Sequence, residues 1–173
     1  KKELEENKDM KTDIEKSLSV IEKEVSGKIE QLALRVSVFE ALKHLIVGGN
    51  VLLQIGAKKI RVMHLDSYVV NRAPNGEVLE IVCVEQVSPN SLDGETASMI
   101  AGKLEGDERS VEIFTHVERK NNFFHVYQEV KGTVIKGSRG KYKPDNVPFL
   151  PLRFSRIDGE DYGRGFVEEL LGD

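Results

Sequence analysis

Proton transfer, metal binding and nucleophilic attack each need particular side chains, so the histidines and the acid cluster are the first residues to weigh. His44, His64, His116 and His125 are the four imidazoles of the chain. His116 and His125 lie on opposite arms of a hairpin closed at Asn121–Asn122. A two-residue turn sets His116 opposite Tyr127 and His125 opposite Glu118, so the two imidazoles are diagonal neighbours. A metal would need a third donor, and none falls in an obvious register. His44 sits in a helical stretch beside Lys43, and His64 ends a strand; neither has a motif around it. No metal site is expected, and no cofactor.

The acids Asp158, Glu160 and Asp161 crowd into RIDGEDYGRG. They lack the ligand alternation and distal Glu of a calcium loop. A solvated loop before a helix is the plainer reading, since the helix dipole favours acids near its N-terminus. The run KGSRGKYK places Lys136, Arg139, Lys141 and Lys143 around two glycines and Tyr142. Glycines let backbone N–H groups approach a phosphate, and the cations would add salt-dependent attraction. It has no Walker-type ending and no strand-to-helix context, so a basic turn between strands is the plainer reading here too. Gly48–Gly49 is likewise a helix stop before it is a phosphate cradle. Cys83 sits inside IVCVEQV, a run that predicts burial, and no nucleophile is ordered with a base. The residues predict a scaffold or interaction domain without chemistry of its own.

Those residues have to be carried by elements, and composition bounds what the elements can be. The chain has 173 residues, 39% hydrophobic and 31% charged, with 25 Lys plus Arg against 29 Asp plus Glu. The net charge of −4 removes a global electrostatic case for duplex DNA binding. A single cysteine excludes a disulfide framework and a Cys-based zinc site. No apolar run approaches the ~18 residues of a membrane span, and no signal-peptide pattern opens the chain. A soluble intracellular protein, or a piece of one, is expected.

Residues 1–47 read as helix, with Ile14, Leu18, Ile21, Val25, Ile29, Leu32, Val36 and Phe39 at steps of three and four. A capping box at Thr12 and Glu15 would start the helix near residue 12; alternatively Leu4 and Met10 extend the stripe to the first residues. Gly27 and the segment Gln31–Arg35, which lacks a clean polar face, predict a kink or break and two helices. Gly48–Gly49–Asn50 ends the second helix with a left-handed cap. Short β-branched runs follow from residue 50. Asn75–Gly76 predicts a type I′ hairpin between SYVVNR and EVLEIVCVEQV, and Asn121–Asn122 a second hairpin. Between them a short helix near 93–104 has Asp93 as its N-cap. Pro148 and Pro151 frame an edge strand or extended connector. The final GRGFVEELLGD begins a helix that stops one turn after becoming amphipathic, so the sequence reads as a piece of a longer chain. Strands clustered after helices predict an α+β fold, with N-terminal helices packed on antiparallel hairpins that form a curled sheet or small barrel.

Two stretches carry a resemblance. LRVSVFEALKHLIVGGNVLLQI (34–55), with SYVVNRAPNGEVLEIV (67–82), resembles the portal, or head-to-tail connector, proteins of short-tailed phages of the autographivirus type. PFLPLRFSRIDGEDYGRGFVEELLGD (148–173) resembles the same family's proline-framed strand, Gly-Glu loop, Tyr-Gly-Arg and acidic helix start. VEIFTHV and VYQEVKG fit in order and spacing, and the resemblance covers about residues 12–173. It implies a structural, non-enzymatic subunit of a dodecameric ring at one capsid vertex. Its partners would be other portal subunits, scaffolding, capsid, terminase and tail proteins. DNA would pass through without sequence-specific binding, and the subunit would be assembled in the host cytoplasm and end in the virion. The segment corresponds to the first part of the wing, whose β region often resembles an SH3-like barrel; stem, clip and crown are absent. The chain then divides into a helical segment 1–47, a β-rich wing region 48–154 and a loop with a helix at 155–173. The signature residues are Gly48, Gly49, Asn50, Asn75, Gly76, Tyr162, Gly163 and Arg164.

Overall fold

Helix α1 (Lys2–Gln31) and helix α2 (Leu34–Gly48) are separated at Ala33, which takes a left-handed φ of 49°. The break falls in the expected segment Gln31–Arg35. The computed structural model describes residues 2–31, 33–103 and 109–171, with side chains from Met10 onward. Because α1 starts at Lys2, Thr12 and Glu15 lie inside it rather than at its cap, and the longer of the two readings holds. The side chain of Leu4, the whole of Leu32 and the end of the 93–104 segment fall outside the described residues.

Among the described residues, nine strands make two antiparallel sheets. The small sheet joins β1 (Asn50–Ile55), β2 (Ile60–Met63) and β9 (Phe149–Arg153) in the order β2-β1-β9. Five of the others are β3 (Tyr68–Arg72), β4 (Val78–Val87), β5 (Val111–Lys120), β6 (Phe123–Val130) and β7 (Thr133–Val134). They pair in chain order, and β8 (Gly140–Tyr142) pairs beside β7 along the same edge of β6. The expected α+β class and antiparallel pairing are present. In place of a curled sheet or SH3-like barrel, the strands form two sheets, the larger running open from β3 to β7.

Three layers result. Ala41 of α2 buries against Val51 and Leu53 on one face of β1. Leu52 points the other way, into the main core with Tyr68, Ile81, Cys83, Val117, Phe124 and Phe149 between the sheets. Since β1 is covered on both faces, it reads as an unbroken apolar run, VLL, instead of alternating. A third cluster of Ile100, Val111 and Val130 seats α3 (Gly94–Ile100) at the end of the large sheet. Asp93 caps α3 as expected, accepting from the Thr96 N–H at 2.9 Å. Helix α4 (Phe166–Leu171) lies against α2.

One expectation fails at the first hairpin. Only Gly76 takes a positive φ, 85°, and its N–H donates to the Ala73 carbonyl at 2.7 Å. Ala73 N–H donates in turn to Glu77 O, which makes a three-residue loop with glycine at the left-handed position rather than a two-residue type I′ turn. Pro74 is the cause: in a two-residue turn residue 74 would have to donate its N–H to Glu77 O, and proline has none, so Ala73 makes that bond instead. The type I′ geometry occurs instead at Lys131–Gly132, with φ of 48° and 69°, joining β6 to β7. The second hairpin pairs Lys120 with Phe123 across Asn121–Asn122, as expected.

Candidate functional site

Helix α2 ends where the sequence places its glycines. Gly49 caps it at φ 70°, and its N–H donates to the Leu45 carbonyl. A Cβ on Gly49 would come within 2.3 Å of the Arg164 carbonyl carbon and 2.7 Å of the Gly163 oxygen. A Cβ on Gly163 would meet the Ser155 oxygen at 2.5 Å, and one on Gly165 the Val47 oxygen at 2.3 Å. Three glycines therefore let two backbones approach each other closely. Asn50 locks that approach. Its Nδ2 donates to Gly163 O at 2.7 Å and to Gly48 O at 3.0 Å, while its Oδ1 accepts from Gly163 N–H at 2.7 Å. Ser155 and Arg164 exchange backbone hydrogen bonds alongside, and Phe154 N–H donates to Gly49 O.

The residues just before Gly163 turn to the free edge of β3. Val70 N–H donates to the Tyr162 hydroxyl at 3.1 Å, and Arg72 N–H to the Asp161 carboxylate at 2.6 Å. Two alternate edge donors are thus satisfied by side chains, which blocks another strand from adding there. The Arg72 guanidinium donates to three carbonyls, those of Asp161, Gly76 and Pro151. Burial, with Arg153 nearby, pulls the pKa of Arg72 below its ordinary value, while Asp161 opposes the shift. The acidic loop is therefore not simply solvated: Asp161 is a structural acceptor, while Asp158 and Glu160 are exposed beside Arg156 and Arg164. Asn75 and Gly76 join the same junction, because the Arg156 guanidinium donates to the Asn75 carbonyl and packs against Gly76.

The other candidates are spent on the fold. Lys136 pairs with Glu95 at 2.7 Å, Arg139 lies 5.9 Å from the Tyr127 ring centre, and Lys141 lies 4.0 Å above the Phe123 ring. Lys143 precedes a single 3-10 turn at Pro144–Asn146. Gly140 and Tyr142 belong to β8, so the basic run is laid along β6 instead of forming an open phosphate loop. His116 stacks on Tyr127 with ring centroids 4.7 Å apart, its Nε2 3.6 Å from the Glu129 carboxylate. Tyr127 and Glu118 do face the two histidines as the turn predicts. Cys83 is buried, which pushes its thiol up to about 12 and away from reactivity. Sequence reasoning missed one grouping: Glu40, His44 and His64 offer ligand atoms within 4.8 Å of one another. Glu40 and His44 are one helical turn apart, and that spacing was the available signal.

All 173 positions match the family of bacteriophage head to tail connecting proteins. The chain belongs to that family. This connector chain is 34% identical over 171 residues to the portal protein of Escherichia phage T7, covering 92% of the chain and 32% of that protein. It is 37% identical over 170 residues to the portal protein of Enterobacteria phage T3, with coverage of 92% and 32%. The portal protein of Pseudomonas phage phiKMV is 29% identical over 170 residues, 94% of the chain and 33% of its own length. The connector chain thus spans about a third of the length of these relatives.

Proposed function

We propose that the connector chain is a wall segment of a phage portal ring at the capsid vertex, structural and without catalysis. The observation that carries this reading is the fate of the signature residues. Gly49, Asn50, Tyr162, Gly163 and Arg164 meet in a junction built from backbone approach and hydrogen bonds, with nothing poised to react. A ring subunit needs that kind of rigidity, because it carries load between neighbours. The apolar stripe of α1 supports the same reading. Ile14, Leu18, Ile21 and Val25 are each between 53% and 58% exposed, at the spacing of a helix packing seam. Neighbouring subunits are the occupants we assign to it, dodecameric in the whole protein, with scaffolding, capsid, terminase and tail proteins as further partners. DNA passes without sequence readout, and the protein, assembled in the host cytoplasm, stays in the virion. Axial electron-microscopy class averages of the full-length protein test this: closed rings of one rotational order are expected, and a monodisperse monomer would refute it. A saturable, salt-sensitive affinity of the 173-residue chain for duplex DNA would instead favour a nucleic-acid module using Lys136, Arg139, Lys141 and Lys143.

A further inference from the structure

Glu40, His44 and His64 bring one carboxylate and two imidazoles together where α2 crosses the end of β2. Glu40 and His44 leave the same side of α2, while His64 follows the last residue of β2 in extended conformation. The His44 and His64 rings meet edge-on, with centroids 4.2 Å apart and planes 70° from parallel. Both elements are anchored independently of this cluster. The Ser37 hydroxyl donates to the Ile60 carbonyl at 3.3 Å, and Ala41 is buried against Val51 and Leu53. The three donors therefore face one another because the core places them there. The nearest cation in sequence, Lys43, rests over the Phe39 ring at 4.6 Å.

We infer that this cluster binds a divalent transition-metal ion of the zinc class, with water completing the coordination. Two imidazole nitrogens and one carboxylate oxygen suit zinc, whereas calcium and magnesium select all-oxygen sites. Tetrahedral zinc with bonds of about 2.0–2.1 Å holds its donors roughly 3.3 Å apart. The set lies within 4.8 Å already, and Glu40 and His64 are exposed, so small side-chain rotations close the remainder. The bound ion would tie α2 to the connection between β2 and β3, crossing from the helical layer to the small sheet.

Titration of the tag-free 173-residue chain with Zn²⁺, followed by calorimetry, tests the assignment; Co²⁺ provides a visible-band reporter of the coordination. One equivalent binding with a micromolar dissociation constant is expected. Glu40→Gln, His44→Gln and His64→Gln should each weaken binding by about tenfold or more, while a His116→Gln, His125→Gln double variant should leave it unchanged. Imidazole NMR shifts of the unmutated chain provide a readout that needs no variant: Zn²⁺ should move His44 and His64 and spare His116 and His125. Absence of saturable binding up to ~1 mM Zn²⁺ overturns the proposal. So does binding that survives the loss of both His44 and His64, or zinc shifts confined to other histidines.

Discussion

Asn50 has the most to lose from a single substitution. Replacing it with alanine removes three hydrogen bonds and strands the buried N–H and carbonyl of Gly163. Asn50→Ala should cost about 2–4 kcal/mol, read as a fall in the urea midpoint with an unchanged slope. Gly76 is constrained twice, by its φ of 85° and by the Arg156 guanidinium 2.9 Å from where a Cβ would sit. Gly76→Val should therefore cost at least ~1 kcal/mol in the same measurement, although the turn is a three-residue loop. An unchanged midpoint would show that the loop relaxes around the side chain. Lys131 offers the converse test. It holds a left-handed φ of 48° with an ordinary side chain, so Lys131→Gly relieves strain and should stabilise the hairpin by a few tenths of a kcal/mol or more.

At the level of elements, the outer edge of β3 and the N-terminus of α3 both rest on side-chain acceptors. The Val70 amide has the Tyr162 hydroxyl as its edge acceptor, so Tyr162→Phe should raise its hydrogen-exchange rate selectively, while the amides of β5 stay protected. The N-terminus of α3 depends on the charge of Asp93. The Thr96 N–H and hydroxyl both donate to its carboxylate and hold its pKa below the ordinary 3.8. With the folded value lowered, this stabilisation is complete above pH 3.8 and disappears as pH falls through the lower folded value. An NMR titration of the Thr96 amide should report that midpoint, and a midpoint at or above 3.8 would remove the cap. Elements such as these were legible because their signals are local: the glycine stop at residues 48–49, the break near Ala33 and the Asp93 cap each need only nearby residues. The Asn50–Gly163 bonds and the Glu40–His44–His64 grouping were not legible, because nothing local says that residues 113 or 20-odd positions apart will meet. The Asn75–Gly76 turn was misread although local, since Pro74 outweighs the dipeptide that follows it.

The whole molecule presents a three-layer body and a long helix on which Ile14, Leu18, Ile21 and Val25 are exposed. The stripe on α1 is narrow, and an obligate interface typically buries above ~2,000 Å². The 173-residue chain alone should therefore run in light scattering as a monomer, or as a small oligomer that dissociates on dilution. Leu18→Glu with Val25→Glu should abolish any such association without lowering the melting temperature, because both side chains are exposed. A single dodecamer peak, indifferent to dilution and salt, would show that this segment closes the ring by itself. The junction at Asn50 has a consequence in time as well as in space. Strand β1 lies between β2, which follows it at once, and β9, which is made much later; Asn50 waits for a partner 113 residues downstream. At translation speeds of about 5–20 residues per second, that is a delay of roughly 6–23 s. Throughout it, β1 and β2 are at most a two-stranded hairpin, marginal in water, and the core-facing side of VLL is wet. A chain that stops before Phe149 leaves the β9 edge of β1 without its strand partner. Residues 149–163 thereby complete a sheet whose first two strands are made about a hundred residues earlier.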